Sequence, residues 1–280
     1  MNLAEKETEL LSILRDMRNV AVAFSGGVDS AIVAKAAYLA LGENAVAVTA
    51  ASDSLAEGEL EQAGNIAQQI GVRHVVVATR EFTDPGYIQN AGDRCFYCKS
   101  KLYTEINQMR QELGFEVICN GANADDVGDH RPGMIAAKDF AVRSPLIEAG
   151  FTKQDVRELA KAWNLPVWDK PATPCLSSRI AYGVEVTPER VRRIDLAEQF
   201  LRSRFGIREL RVRLEANDLA RIELPRVVLE SVLKGDVMRD VVSKLKSLGF
   251  RYVTVDLEGF RSGSMNDALP RIQLQQLPSK

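Results

Sequence analysis

Apolar positions along the chain follow two alternating rhythms. Leu10, Leu11, Ile13, Leu14 and Met17 recur three and four apart, which predicts an amphipathic helix over 3–18. The short apolar run 20–24 reads as a strand, 31–40 as a helix and 45–50 as a second strand. Helix 58–70, strand 73–78, helix 96–113 and strand 116–119 follow. Strands alternating with helices predict an α/β fold with a doubly wound parallel sheet, whose ligands sit at the carboxyl ends of its strands. Thr152-Lys153-Gln154-Asp155 then caps a helix that runs to about Trp163, with Asp155 at the third helical position.

Residues 166–183 break this rhythm. Pro166, Pro171, Pro174 and Gly183 predict a rigid irregular connection and a domain boundary. Beyond it, Thr187-Pro188 starts a helix over 188–205, with proline at the first helical position. Strands 208–214 and 218–224 flank a turn at Ala216-Asn217, and helices 225–231 and 236–248 and strand 251–255 complete the pattern. The expected organisation is an α/β domain over 1–166 and a connection over 167–183 that carries Cys175. A smaller α+β domain over 184–270 follows, to complete the site or mediate oligomerisation, and then a disordered tail over 271–280.

Composition narrows the partners. A chain of 280 residues holds one large or two ordinary domains. A net charge of −2 provides no broad basic face for nucleic acid. No run approaches the roughly 18 apolar residues of a membrane span, and the charged N-terminus has no apolar signal-peptide core. The expectation is a soluble cytoplasmic protein with no nucleic-acid or membrane partner. Its four cysteines should be reduced and turned to metal binding or catalysis.

Candidate chemistry begins at Ser25-Gly26-Gly27-Val28-Asp29-Ser30, between the first strand and the helix after it. Two glycines allow a sharp turn and close approach to a ligand. The helix N-terminus then directs N–H groups and its dipole at an anion such as phosphate. No lysine follows the glycines, so this is not the Gly-x-x-x-x-Gly-Lys-Ser/Thr loop. The six residues resemble the pyrophosphate loop of the ATP pyrophosphatases, which split ATP into AMP and pyrophosphate; an ordinary β–α turn is the plainer alternative.

After the fourth strand, residues 120–133 are rich in Asn, Asp and Gly. Ordinary turns would account for that composition. On the functional reading, Gly121 lets the backbone approach the nucleotide, and Ala50 and Asp126 join the nucleotide-binding set. Asp29, Asp125, Asp126 and Asp129 are candidate ligands for Mg²⁺, a hard cation that prefers carboxylate oxygen.

Cys119 ends a buried strand and reads as an inert thiol. Cys95-Phe96-Tyr97-Cys98 is a C-x-x-C, and Cys175 lies far along the chain. Structural zinc needs four ligands, and only His74 and His130 are on offer. A thioredoxin-like pair lacks its usual context. A 4Fe–4S centre held by Cys95, Cys98 and Cys175, with one iron open, is the third possibility. Lys170 and Arg179 flank Cys175 and favour its thiolate, whereas Arg190, Arg192 and Arg193 read as a solvated helix face. Arg211 and Arg213 share one face of a strand, as a clamp for phosphate or carboxylate or as an exposed strand face.

Several stretches together resemble the LarE family, the ATP-dependent sulfur-inserting enzymes of nickel-pincer nucleotide cofactor biosynthesis. They are residues 24–30, Asp93-Arg94-Cys95-Phe96-Tyr97-Cys98-Lys99, residues 121–126, Arg131-Pro132-Gly133, Pro174-Cys175-Leu176-Ser177-Ser178-Arg179 and Arg261-Ser262-Gly263-Ser264-Met265-Asn266. The resemblance spans nearly the whole chain. It implies that ATP adenylates a carboxylate of pyridinium-3,5-biscarboxylic acid mononucleotide and that sulfur then displaces AMP to give a thiocarboxylate. The family has two sulfur sources: a sacrificed cysteine matching Cys175, or a sulfide carried on a three-cysteine 4Fe–4S cluster. Because both Cys95 and Cys98 are present, the resemblance favours the cluster. It also places Lys99, Ser178, Arg179 and Glu198 at polar site positions and Arg211 and Arg213 at the substrate phosphate, with a helix-surface role as the alternative for Lys99 and Glu198. A homo-oligomer and a sulfide donor are further implications. The competing functions are another ATP pyrophosphatase, such as a tRNA thiolase or an amide-forming synthetase, and a non-catalytic nucleotide sensor.

Overall fold

The computed structural model describes residues 1–127, 132–261 and 265. In chain order the elements begin with α1 (Leu3–Met17), β1 (Val20–Ala23), α2 (Val28–Leu41), β2 (Ala45–Ala51), α3 (Glu59–Ile70), β3 (Arg73–Ala78), α4 (Pro85–Gln89), α5 (Arg94–Gln108) and α6 (Arg110–Leu113). Next come β4 (Val117–Cys119), α7 (Pro132–Asp139), α8 (Pro145–Glu148), α9 (Lys153–Ala162) and α10 (Pro188–Phe205). The last are β5 (Arg211–Glu215), β6 (Leu219–Glu223), α11 (Arg226–Val232), α12 (Gly235–Ser247) and β7 (Tyr252–Val255). They form two compact units, one of residues 1–81 and 95–173, the other of 82–94 and 174 onward. Asp129, His130, Arg131, Ser262, Gly263, Ser264, Asn266 and the tail over 271–280 lie outside the described residues.

The first unit is built on a parallel sheet of order β3-β2-β1-β4. Side chains of a strand alternate between faces, and β1 shows the consequence. Val20 and Val22 enter a core with Leu10 and Leu14 of α1, Ile32 and Val33 of α2, Ile66 and Ile70 of α3, and Val156 and Leu159 of α9. Ala21 and Ala23 face the other way, onto Leu102, Tyr103 and Ile106 of α5 and Ala136 and Ala137 of α7. Helices therefore cover both faces, as the alternating pattern predicts. The expected helix over 96–113 divides at Met109, whose N–H bonds to the carbonyl of Ile106 (3.0 Å) in a tightened turn. Thr152 caps α9 as expected: its hydroxyl accepts from the N–H of Asp155, whose carboxylate accepts in return from the N–H of Thr152.

The second unit holds a sheet of order β5-β6-β7, antiparallel in its first pair and parallel in its second. Helix α10 starts at Thr187, whose hydroxyl accepts from the N–H of Arg190, and buries Val191, Ile194, Ala197 and Leu201 along one stripe against β5. Residues 82–94 join this unit through backbone bonds, from the N–H of Gly183 to the Asn90 carbonyl (3.0 Å) and from the N–H of Val186 to the Ile88 carbonyl (2.9 Å), and through side chains. Tyr87 shares a 2.7 Å hydrogen bond with Ser177, and the Asn90 amide donates to the carbonyls of Ile180, Ala181 and Val184. Among the described residues no helix is long and apolar enough to cross a membrane.

Candidate active site

In the first unit the loop joining β1 to α2 leaves the sheet at its carboxyl edge. Gly26 adopts φ +69°, and a Cβ there would stand 3.0 Å from the backbone of Ala63 in α3, so the turn requires glycine. The serines lace the loop together. Ser30 Oγ donates to the Gly27 carbonyl (3.1 Å) and accepts from the N–H of Ser25 (3.2 Å), so Ser25 Oγ, 3.1 Å away, donates to it. The first helical bond of α2 runs from Ala31 to the carbonyl of Gly27, which leaves the N–H groups of Val28, Asp29 and Ser30 directed out of the helix end. That is the geometry for holding phosphate oxygens.

The residue before the loop is anchored from the neighbouring strands. Thr49 Oγ1 donates to the carbonyl of Phe24 (2.8 Å) and sits 2.8 Å from His74 Nε2, which is left to donate to it. Burial holds the His74 imidazole below its ordinary pKa. This histidine thus has a structural partner in the sheet. Ala50, one residue past Thr49, is half-buried near the end of β2.

Gly121, just after β4, meets the same helix end. A Cβ on it would lie 2.8 Å from the Ser30 nitrogen. Asn123 Nδ2 donates to Asp29 Oδ1 (2.8 Å), and the N–H of Asn123 donates to Asp126 Oδ2 (3.2 Å). Burial, reinforced by the charge of Asp126, raises the Asp29 pKa against the pull of Asn123. Lys153 Nζ stands 3.5 Å from Asp126 Oδ1. Asp125 is exposed and accepts from the N–H of Lys153 (2.8 Å) at the start of α9. Asp29 and Asp126 are thus the carboxylates gathered beside the loop, a donor set that suits Mg²⁺ completed by water and substrate phosphate. Asn123, within the family-like stretch 121–126, and Lys153, which the sequence marks only as part of a helix cap, belong to this group.

Cys95, Cys98 and Lys99 lie on α5. The two cysteines are one turn apart on one helix face, Cys95 exposed and Cys98 half-buried. Gly133 of α7 packs there, where a Cβ would stand 3.3 Å from Lys99 Cγ and 3.7 Å from the Cys95 carbonyl. Cys119 is fully buried, and desolvation pushes its thiol up to about 12. Among the described residues no group of three or more His, Cys, Asp or Glu side chains is assembled to hold a metal.

In the second unit Cys175 precedes a short 3₁₀ turn, Leu176–Arg179, and is half-buried. The guanidinium of Arg179 is fully buried and organises this turn. It donates to the carbonyls of Pro174 and Cys175 and to Ser178 Oγ, while its Nε donates to Glu198 Oε1 (3.1 Å). Glu198 is fully buried too, and also accepts from Arg202 (2.6 Å) and from the N–H of Val212 (3.1 Å). The helix-surface alternative for Glu198 is therefore excluded.

Arg211 and Arg213 are buried neighbours on β5 rather than an exposed strand face. Arg213 donates to the Ser178 carbonyl (3.2 Å) and to Glu223 (2.9 Å), and Arg211 lies 5.0 Å from the Phe260 ring centroid. Burial lowers the Arg211 pKa to about 10, helped by repulsion from Arg179, Arg213 and Arg202 against the pull of Glu198.

A serine–glycine phosphate loop at the carboxyl edge of a parallel sheet, with a carboxylate pair beside it, defines the PP-loop class of ATP pyrophosphatases. Comparison with known proteins agrees. The NAD synthase family matches residues 13–89. An uncharacterised protein of Synechocystis sp. is 44% identical over 96% of this chain and 100% of its own length. The pyridinium-3,5-bisthiocarboxylic acid mononucleotide synthase of Lactiplantibacillus plantarum is 40% identical over 97% of this chain and 98% of its own length. An uncharacterised protein of Methanocaldococcus jannaschii is 26% identical over 88% of this chain and 92% of its own. The chain belongs to the LarE family, the family of that synthase.

Proposed function

We propose that this protein is an ATP-dependent sulfur transferase. It adenylates a carboxylate of pyridinium-3,5-biscarboxylic acid mononucleotide, releases pyrophosphate, and replaces AMP by sulfur to give a thiocarboxylate. The observation that carries this reading is the near-full-length likeness to the L. plantarum synthase, joined to a phosphate loop of the required form. A carboxylate is a poor electrophile, and acyl-AMP supplies a stable leaving group. The N–H groups of Val28, Asp29 and Ser30 would hold ATP phosphates and stabilise charge developing on them. Asp29 and Asp126 would hold Mg²⁺, which lends Lewis acidity to the same phosphates. Arg211 and Arg213 would take the substrate phosphate. Arg179, fixed by Glu198, would hold the Cys175 turn in one conformation, and Lys99 and Ser178 would supply polar contacts to the substrate.

For the sulfur source we favour a 4Fe–4S cluster held by Cys95, Cys98 and Cys175. The donor chemistry fits: three accessible thiols suit three irons, and the buried Cys119, its thiol pushed up to about 12, is unsuited as a fourth ligand. When bound, the cluster would supply a transferable sulfide. Sacrifice of Cys175 is the second reading, and it needs only this one thiol, half-buried at the turn that Arg179 holds. An expected homo-oligomer and a sulfide donor are part of the same proposal.

The test is anaerobic purification with iron and sulfide analysis, followed by turnover with ATP and the dicarboxylate. Formation of AMP, pyrophosphate and thiocarboxylate supports the enzyme reading, and its absence in protein reconstituted with iron and sulfide refutes it. About four irons per chain, lost in Cys95→Ala, Cys98→Ala and Cys175→Ala alike, support the cluster. An iron-free protein that turns over once, while Cys175 loses the mass of hydrogen sulfide, establishes the sacrificial route.

A further inference from the structure

We propose that Lys170 is the cation that receives the pyrophosphate leaving group, an inference that rests on the adenylation reading above. In that step a substrate carboxylate oxygen bonds to the α-phosphorus. The bond from that phosphorus to the α–β bridging oxygen breaks, and the electron pair stays on the departing pyrophosphate. Charge therefore grows on the β-phosphate side. The loop itself offers backbone N–H groups and hydroxyls there but no cationic side chain, since residues 25–30 contain neither Lys nor Arg.

The fold brings a cation to the loop from far along the chain. Lys170 Nζ lies 2.8 Å from Glu59 Oε2, 2.6 Å from Gln62 Oε1 and 3.5 Å from the carbonyl oxygen of Gly26. An ammonium has three donors. Two are engaged in short bonds to the start of α3, and the third reaches the loop only at the outer limit of a hydrogen bond. That third donor can turn onto a phosphate oxygen seated at the loop while Glu59 keeps the lysine in place. The side chain is 13% exposed, so its charge is less screened than a surface charge. Lys153 is the other cation nearby, but its side chain is 56% exposed and it stands beside Asp126 rather than against the loop. Glu59, Gln62 and the tightly packed Gly26 hold Lys170 at the loop in advance of nucleotide, the preorganisation that charge stabilisation requires.

The experiment measures equilibrium binding of inorganic pyrophosphate and, separately, of AMP to the full chain, together with AMP formation from ATP. In Lys170→Met, pyrophosphate affinity is expected to fall on the order of tenfold or more, while AMP affinity stays within about twofold. The kcat for AMP formation should drop with the KM for the carboxylate unchanged, and Lys170→Arg should recover much of the loss. Glu59→Gln keeps the ammonium and should bind pyrophosphate at least as tightly as wild type. Unchanged pyrophosphate affinity in Lys170→Met would overturn the proposal. So would an equal loss for AMP and pyrophosphate, the mark of a lysine that merely supports the loop. If the wild type forms no AMP from ATP, the adenylation reading fails instead, and that failure is distinguishable because pyrophosphate binding is measured directly.

Discussion

Arg179 and Glu198 are both fully buried and paired, and Glu198 is shared with the part-exposed Arg202. Removing Glu198 leaves the buried Arg179 desolvated without its carboxylate, so Glu198→Ala should lower unfolding free energy by about 3–5 kcal/mol in a denaturant titration. Arg179→Met with Glu198→Leu, which removes both charges, should cost less than the single change while still abolishing sulfur transfer. Asp29 makes the opposite case. Its burial beside Asp126 raises its pKa, so the ionised form opposes folding. Asp29→Asn should therefore melt no lower than wild type, yet lose Mg²⁺-dependent AMP formation by about 100-fold or more. The loop and the Cys175 segment were legible as motifs, because their residue types sit next to one another in sequence. The burial of Glu198 was not, since its guanidinium partner arrives from another segment and a glutamate on a helix ordinarily faces water.

Two close approaches join the elements of the nucleotide side, and each uses the missing Cβ of a glycine. Gly121→Ala would drive a methyl group to 2.8 Å from the Ser30 nitrogen and push the strand end off α2. ATP affinity should fall by about 10- to 100-fold, measured by equilibrium binding, with smaller loss of stability than of affinity. Helix α9 carries a pH dependence. Burial alone would raise the Asp155 pKa, but bonds from Lys6 and Thr152 outweigh it and bring it from 3.8 to about 2. A depressed carboxylate pKa stabilises the fold above the unfolded value, and that contribution fades as pH falls through the folded one. Its loss should remove about 2 kcal/mol. The stability gap between wild type and Asp155→Asn should thus be present at pH 7 and close between about pH 4 and pH 2. Every strand of both sheets was visible as an apolar run or an alternating stretch, and the long helices as periodic ones. Helices α4 and α8 were not, because one turn carries no period, and α7 offers too short a stripe to separate from its loop.

At the scale of the whole molecule, the second unit is discontinuous in the chain. Residues 82–94 leave the first unit and pack with residues from 174 on, through contacts between positions about ninety apart. No local pattern in the sequence announces such a union, since it depends on single side chains and two isolated backbone bonds rather than on a repeat or a strand. Asn90 is its centre. It is fully buried in a left-handed conformation (φ 55°), its amide donates to the carbonyls of Ile180, Ala181 and Val184, and its Oδ1 accepts from Arg94. Buried polar groups stripped of partners destabilise by about 1–3 kcal/mol each. A fragment of residues 174–280 would lose the donor to those three carbonyls, together with the Tyr87 ring. It should therefore show a broad, non-cooperative thermal transition by circular dichroism. Fusing residues 82–94 to its N-terminus through a flexible linker should restore a sharp transition, and Asn90→Ala in that fusion should weaken it again. A sharp transition in the fragment alone would mean that the excursion over 82–94 serves the first unit and not the folding of the second.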